Sequence, residues 1–174
     1  LLMTVTYLLI LLMLNGKAIM KVERIKPHLR LATEKDCHYL STRLREDDYQ
    51  EIKAMTGYPA LESLLAGLYL SDVPMVICNE QNIPVAMLGV VPQGLLGFIW
   101  MVGTDDLKKI SLSFLRNSKD VCDVMKDKYQ LLYNFVDARN TLHITWLKWM
   151  GFTFINKHNQ YGIEGKLFYE FVKI

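Results

Sequence analysis

The sequence contains few cysteines, and none of them has the spacing that a disulfide framework or a zinc site requires. Among 174 residues there are three, Cys37, Cys78 and Cys122, which lie far apart and form no C-x-x-C pair. An odd number of isolated cysteines argues against both kinds of site and suits a reducing cytosol. We therefore expect no bound metal and a cytoplasmic location.

The sequence also lacks an excess of charge of either sign. Its formal net charge is +2, from 20 basic and 18 acidic residues, and the basic residues are scattered along the chain. A nucleic-acid-binding protein usually has a basic patch or stripe, so we expect no specific nucleic-acid partner. With 51% hydrophobic residues and 22% charged residues, the composition is that of one ordinary globular domain.

A hydrophobic run long enough to cross a membrane is missing as well. The run LLMTVTYLLILLML at residues 1–14 is shorter than the roughly 20 residues that span a bilayer. It also lacks the basic leader and cleavage site of a secretory signal. Because Met20 offers a start for a soluble chain, we expect residues 1–19 to be a non-native or flexible apolar extension and residues 20–174 to form one domain. The alternative is a membrane-docking tail, and only that alternative gives the protein a membrane partner.

The pattern of apolar residues in the remaining chain predicts an α/β protein. Strands alternate or are apolar throughout, whereas helices repeat apolar residues at spacings of three and four. Strands in the middle of the chain, followed by a strand-helix-strand unit, indicate a mixed sheet. We predict strands at residues 28–32, 75–78, 85–91, 95–102, 131–136 and from 152, helices at 33–44 and 61–68, and turns at 57–59, 79–82 and 92–94.

The most informative stretch is YQLLYNFVDARNTLHITWLKWMGF at residues 129–152. Its first part is an apolar run that is typical of a strand covered on both faces. Asn140 then stands where a helix needs an N-cap, and Gly151 stands where that helix ends in a left-handed residue. The stretch therefore predicts a strand, a loop, a capped helix and the start of another strand at Phe152.

This stretch resembles the second half of the GNAT acyltransferase fold, whose Asn and Gly-Phe positions are matched by Asn140, Gly151 and Phe152. Together with the preceding tract GFIWMVGTDDL, it is similar to the GNAT-like phage family typified by internal virion protein A. The resemblance covers roughly residues 29–172. It implies an α/β fold with a GNAT-like mixed, largely antiparallel central sheet flanked by helices on both faces. It also implies acyl-CoA, phage virion proteins or host proteins as partners, and a location in the host cytoplasm or the virion.

The resemblance places an acetyl-CoA site where the central strand ends, which is the usual ligand position in open α/β sheets. We expect the cofactor to be held by that strand, by the segment that follows it and by the helix cap. These residues are Trp100, Met101, Val102, Lys108, Lys109, Ser111 and Asn140.

The segment after the central strand departs from the family pattern. Active GNAT enzymes have a glycine-rich loop there whose amides hold the pyrophosphate, whereas this chain has GTDDLKKIS at residues 103–111. If Thr104 caps the next helix, Asp105 and Asp106 repel a polyphosphate, by roughly 4 kcal/mol for unit charges about 4 Å apart. In the alternative, residues 104–109 form a loop, the helix runs from about 111 to 128, and amides near its start remain free for phosphate.

The tyrosine that GNAT enzymes often use as the general acid is also missing. Leu147 stands at its position, four residues before Gly151, and leucine donates no proton. Tyr129, Tyr133 or His143 must substitute for it, or no transfer occurs. The candidates for a catalytic role are Tyr133, His143 and Asp137.

Several candidate residues also have an ordinary structural interpretation. Asn140 needs no ligand if it acts as an N-cap. Asp137 and Arg139 either line a polar pocket or form a surface ion pair. Asp48 and Glu51 are candidates for a general base, although runs of charge of this kind are usually solvated.

Three functions remain open. The first is a phage protein with a virion or morphogenesis role and weak or lost acyl transfer. The second is an active acetyl-CoA-dependent N-acyltransferase, and the third is a non-enzymatic binder of a host protein. An acyltransferase needs a narrow cleft between the strands at 95–102 and 130–136, lined by backbone groups that pair with the cofactor. A gap filled by side chains favours the other two functions.

Overall fold

The structure, a computed structural model, describes residues 27–110 and 112–174. Residues 1–19 and Ser111, on which predictions were made above, lie outside the described residues. The strands are β1 (His28–Leu31), β2 (Met75–Cys78), β3 (Pro84–Gln93), β4 (Leu96–Gly103), β5 (Leu131–Asp137), β6 (Thr153–Tyr161) and β7 (Lys166–Lys173). They form one seven-stranded sheet in the order β1-β2-β3-β4-β5-β7-β6.

The α-helices lie on both faces of this sheet. They are α1 (Glu34–Ser41), α2 (Glu46–Thr56), α3 (Ala60–Leu70), α4 (Leu112–Lys126) and α5 (Thr141–Trp149). Leu40 of α1 and Leu64 of α3 pack on one face against β2 and β3. Met125 of α4 and Leu147 of α5 pack on the other face against β5 and β7. None of the helices within the described ranges is both long and apolar enough to pass through a membrane.

The predicted fold class is confirmed, but two predicted boundaries are wrong. The first helix ends at Ser41 rather than at Leu44, because Leu44 forms an isolated β-bridge with Thr104. β3 continues through residues 92 and 93, which were predicted as a turn, and the chain reverses at Gly94 with a φ of 64°. Of the two registers left open after β4, the one with a long helix from about residue 111 is closer to the structure, in which a short 3-10 helix, Asp105–Lys109, precedes a helix that starts at Leu112.

The sheet opens into a fork between β4 and β5, its one parallel pair of neighbours in the described residues. The two strands pair only from residues 96–98 to residues 131–133. β4 then stays paired with β3 as far as Gly103, and β5 stays paired with β7 as far as Asp137. Residues 99–103 and 134–137 therefore form the two arms of the fork, with the apex at Ile99 and Asn134 and the mouth at Gly103 and Asp137.

Candidate functional site

The side chain of Asn134 separates the two strands at the apex of the fork. Its Nδ2 donates to the carbonyl oxygen of Ile99 at 2.6 Å, and its Oδ1 accepts the backbone N–H of Phe135 at 2.6 Å. In a continuous parallel ladder, backbone groups of the two strands would bond to each other directly. The amide of Asn134 therefore takes the place of the next ladder bond.

Asp48 of α2 binds the β4 side of the mouth. Its Oδ2 accepts the backbone N–H of Gly103 at 2.8 Å. It also forms a bidentate ion pair with Arg45, with Nη2 to Oδ1 at 2.7 Å and Nε to Oδ2 at 3.0 Å. Only 2% of Asp48 and 7% of Arg45 is exposed. This pairing is what allows a carboxylate to be buried, because an unpaired buried charge costs several kcal/mol.

Glu51, also on α2, binds the β5 side of the mouth. Its Oε2 accepts the backbone N–H of Asp137 at 3.1 Å. Nδ2 of Asn140 connects the two sides, at 3.1 Å from Oδ1 of Asp48 and 3.2 Å from Oε2 of Glu51. Burial, reinforced by the negative charge of Asp48, raises the pKa of Glu51 to about 8. Glu51 is therefore mostly protonated at neutral pH.

Asp137 and Arg139 form an ion pair beside this cluster. Nε of Arg139 donates to Oδ1 of Asp137 at 2.9 Å, and the side chain of Asp137 is 2% exposed whereas that of Arg139 is 51% exposed. Asp137 and Arg139 were predicted either to line a polar pocket or to form a surface ion pair. They do both, since Asp137 forms a wall of the mouth and Arg139 reaches the surface.

His143 lies in the first turn of α5, close to Asp48 and Arg45. Its backbone N–H donates to Oδ1 of Asn140 at 3.3 Å, so Asn140 is the N-cap that was predicted. Burial lowers the pKa of His143 to about 4, and the imidazole is therefore neutral at neutral pH. Its Nδ1 is buried and has no hydrogen-bond partner among the described residues.

The tyrosine candidates lie away from the mouth of the fork. The hydroxyl of Tyr133 donates to Oε1 of Gln93, and its ring packs edge-on against Phe98 with centroids 5.5 Å apart. The hydroxyl of Tyr129 donates to Oδ2 of Asp72 at 2.7 Å. Neither hydroxyl is bonded to a residue of the fork's mouth.

The three predicted cofactor residues of β4 differ in whether their backbone groups face β3 or the fork. Trp100 and Val102 pack against the cluster under α1 and α3, and Nε1 of Trp100 donates to Oγ of Ser71 at 2.9 Å. Thr104 donates its backbone N–H to β3. Because the backbone hydrogen-bonding direction alternates from residue to residue along an antiparallel strand, the backbone groups of Trp100 and Val102 also face β3. The backbone groups of Met101 therefore face the fork.

The lysines of the 3-10 helix are paired with the aspartates of the same turn. Nζ of Lys108 lies 2.8 Å from Oδ1 of Asp105, and Nζ of Lys109 lies 2.7 Å from Oδ1 of Asp106. Exposed pairs of this kind are individually weak. Together, however, they leave the turn without net positive charge, so a polyphosphate meets an aspartate beside each lysine.

The sequence identified several residues of the mouth but not the contacts that they make. Asp48 and Glu51 were candidates for a general base, with a solvated helix face as the alternative, and the structure shows them bound to backbone groups of the sheet. Their spacing of three residues, which puts both on one helix face, was the available signal. Arg45 and Asn134 were not singled out, although a polar residue inside the apolar run LLYNFV is itself a sign of a special role. Within residues 27–110 and 112–174, no group of three or more His, Cys, Asp or Glu side chains is arranged to hold a metal ion.

Comparison with known proteins supports both the fold and the phage resemblance. A family model described as "Bacteriophage T7, probable scaffold protein Gp13" matches residues 75–159, a span that includes the whole fork and Asn140. A search of curated proteins found no matching sequence. The prediction of a GNAT-like protein that is similar to a phage family is confirmed.

Solved acetyltransferases have the same fold. Ard1 from Thermoplasma volcanium aligns with a TM-score of 0.64 at 14% identity, over 86% of this chain and 98% of that chain. Spermidine N-acetyltransferase from Vibrio cholerae, in complex with CoA and spermine, gives 0.62 at 12% identity, over 85% and 95% of the two chains. A GNAT-family acetyltransferase from Bacillus anthracis gives 0.61 at 12% identity, over 89% and 98%. Identities this low show a common fold and leave the activity open.

Proposed function

We propose that this GNAT-like chain serves as a protein-binding component in phage morphogenesis or in the virion, with weak or lost acyl transfer. The similarity to a family described as a probable T7 scaffold protein supports the phage role. The occupied fork supports the loss of acyl transfer, and it is the observation that carries the proposal. The protein would act in the host cytoplasm or in the virion, with virion or host proteins as its partners.

The fork offers few free backbone groups to a cofactor. A pantetheine arm that enters a GNAT-like cleft needs backbone donors and acceptors on the separated strands. Side chains already bind four such groups, namely the Ile99 carbonyl and the N–H groups of Gly103, Phe135 and Asp137. A cofactor would have to displace these side chains, and separating the buried Asp48 from its partners would be costly.

The segment after β4 is poorly suited to a pyrophosphate. It forms a 3-10 helix with Asp105 and Asp106 in its first turn. Negative side chains at this end of a helix occupy the position in which an anion would otherwise be stabilised. Lys108 and Lys109 balance the aspartates and supply no surplus of positive charge.

Among the described residues, none of the positions predicted for the general acid supplies a proton donor at the mouth. Leu147 is buried in the core, the hydroxyl of Tyr133 bonds to Gln93, and His143 is neutral at neutral pH. The loss of a positioned general acid typically slows a reaction by about 10²- to 10⁴-fold.

The alternative of an active N-acyltransferase is favoured by Glu51. A carboxylate whose pKa lies near the operating pH is what a general base requires, and Glu51 has a raised pKa and lies at the mouth of the fork. In that case acetyl-CoA would lie along Met101, near Asn140, with its phosphates at Lys108, Lys109 and Ser111.

A thermal-shift titration with acetyl-CoA and free CoA separates these functions. A ligand at 100 times its Kd stabilises a protein by about 2.7 kcal/mol. We expect no shift up to millimolar cofactor, while an active GNAT enzyme measured in parallel shifts normally. A saturable shift that K108E and K109E abolish, and that the exposed control K166E leaves intact, would overturn the loss of cofactor binding.

Mass spectrometry of purified proheads and virions tests the phage role. We expect the protein in at least one of these particles, in a fixed ratio to the capsid subunits. If it is absent from both and is instead recovered in a complex with one host protein, the host-binding alternative replaces the morphogenesis role.

A further inference from the structure

A single helix closes the mouth of the fork. Asp48 and Glu51 lie three residues apart on α2, so they share one helix face. Asp48 contacts the end of β4 through Gly103, and Glu51 contacts the end of β5 through Asp137. α2 therefore holds two strand ends that do not pair with each other.

The charges at the mouth balance only when Glu51 is protonated. Asp48 is paired with Arg45, and Asp137 is paired with Arg139. Within the described residues, no ion pair includes Glu51. An ionised Glu51 therefore adds a third carboxylate that no cation neutralises, and such a charge is unfavourable in a poorly solvated place.

The other groups around Glu51 do not supply the missing cation. Asn140 and His143 of α5 are neutral, because burial lowers the pKa of His143 to about 4. At the far end of α2, Nζ of Lys53 lies 3.8 Å from Oε1 of Glu164 in the β6–β7 turn. This lysine is already paired with a carboxylate.

We propose that α2 is a proton-operated latch: protonated Glu51 holds the helix across both strand ends, and loss of that proton releases α2 from β5. The bonds from Asp137 and Asn140 remain available to an ionised Glu51, but repulsion by Asp48 and Asp137 opposes them. Release would free the backbone N–H of Asp137, which now donates to Glu51.

The range over which the latch operates follows from its surroundings. Burial and the charge of Asp48 raise the pKa of Glu51 from 4.5 to about 8, so the hold of Glu51 on β5 weakens as the pH rises from about 4.5 to just above 8. A single linked proton changes the opening equilibrium by at most about tenfold per pH unit. The latch does not depend on which partner the protein binds.

Hydrogen-deuterium exchange of the full chain tests the latch, with rates converted to protection factors so that the intrinsic effect of pH is removed. We expect the protection of residues 46–56, relative to that of residues 75–91, to fall about tenfold between about pH 7 and pH 9. E51Q keeps an acceptor for Asp137 and Asn140 but cannot ionise, so its relative protection should stay constant. E46Q, an exposed change on the same helix, should behave as the wild type.

Two results would overturn the latch. One is a relative protection of α2 in the wild type that does not change over this range, a result that needs no variant. The other is a loss of protection in E51Q as large as in the wild type. If E51Q lowers the protection of the whole sheet, E51M provides a second uncharged side chain of similar length for the same comparison.

Discussion

Asn140 connects the two sides of the fork's mouth through one side chain. Its Oδ1 caps α5, and its Nδ2 donates to both Asp48 and Glu51. N140D keeps the capping oxygen, removes the donor and places another carboxylate among those already there. We expect it to destabilise the protein by about 2–4 kcal/mol at neutral pH, since it buries an unpaired charge, as measured by urea unfolding.

N140S provides the matched comparison, because serine also caps helices well and adds no charge. It should cost about 1–2 kcal/mol, the value for a lost buried hydrogen bond. An N140D protein as stable as N140S would show that Asn140 acts only as an N-cap.

Asn134 permits a similar test at the apex. N134L is nearly isosteric but leaves the Ile99 carbonyl and the Phe135 N–H without their present partner. We expect a loss of about 1–3 kcal/mol in urea unfolding, the cost of unsatisfied buried polar groups. N156L, which removes an exposed bond to Glu170, should change stability by less than about 0.5 kcal/mol. Equal losses in both variants would rule out a special role for the Asn134 side chain at the apex.

The site was predictable from the sequence only where its interactions are local. The capping role of Asn140 depends on residues up to His143, three positions away, and the sequence revealed it. The bond from Asn140 to Asp48 joins residues 92 positions apart, and no local pattern encodes such a contact. The contact of Glu51 with Asp137 was missed for the same reason, because it depends on where α2 crosses the sheet.

At the level of elements, the β6–β7 turn is docked against the C-terminal end of α2. Glu164 donates its N–H to the carbonyl of Ala54 at 3.2 Å. Gly162 has a φ of +67°, and a Cβ there would lie 2.2 Å from that carbonyl oxygen, whereas Gly165, with a φ of +59°, has open space around it. The two glycines thus share backbone strain but differ in their contact with α2.

This difference gives a prediction within one turn. G165A should cost about 1 kcal/mol, from the positive φ alone. G162A adds a clash with α2, so we expect about 2–4 kcal/mol and a disturbed hairpin, measured by urea unfolding. If the two variants lose the same stability, the turn is not anchored on α2.

Elements with strong periodicity were predicted well, whereas their ends were not. The helix containing Leu61, Leu64 and Leu68 and the capped helix after Asn140 follow from spacing and turn residues. The end of α1 depends on the bridge between Leu44 and Thr104, which joins distant parts of the chain. The fork itself is a property of the sheet, because the sequence of β4 alone does not show where its pairing with β5 stops.

At the scale of the whole molecule, the buried His143 and the partly buried Glu51 shape the dependence of stability on pH. The folded state lowers the pKa of His143 from 6.5 to about 4, so the unfolded chain binds more protons between these values and stability rises with pH there. It raises the pKa of Glu51 from 4.5 to about 8, so the folded chain binds more protons and stability falls over that range.

The two effects oppose each other from about pH 4.5 to 6.5, and only that of Glu51 remains above. We expect the free energy of unfolding to be nearly constant in the first range and to fall by about 1–3 kcal/mol up to about pH 8. E51Q should remove this fall, and E46Q should keep it. Denaturant unfolding at a series of pH values measures the profile, and a rise in wild-type stability from pH 6.5 to 8 would contradict the assignment.

We propose that a GNAT fold is retained here while the protein's own side chains occupy the fork in which a cofactor would lie. A titration of the ¹⁵N-labelled protein with CoA, followed through the backbone amides of Met101, Gly103 and Asp137, tests this claim most directly. We predict that these resonances stay unchanged up to millimolar CoA. Saturable shifts of the Met101 and Gly103 amides would contradict it, because they would show that CoA enters the fork.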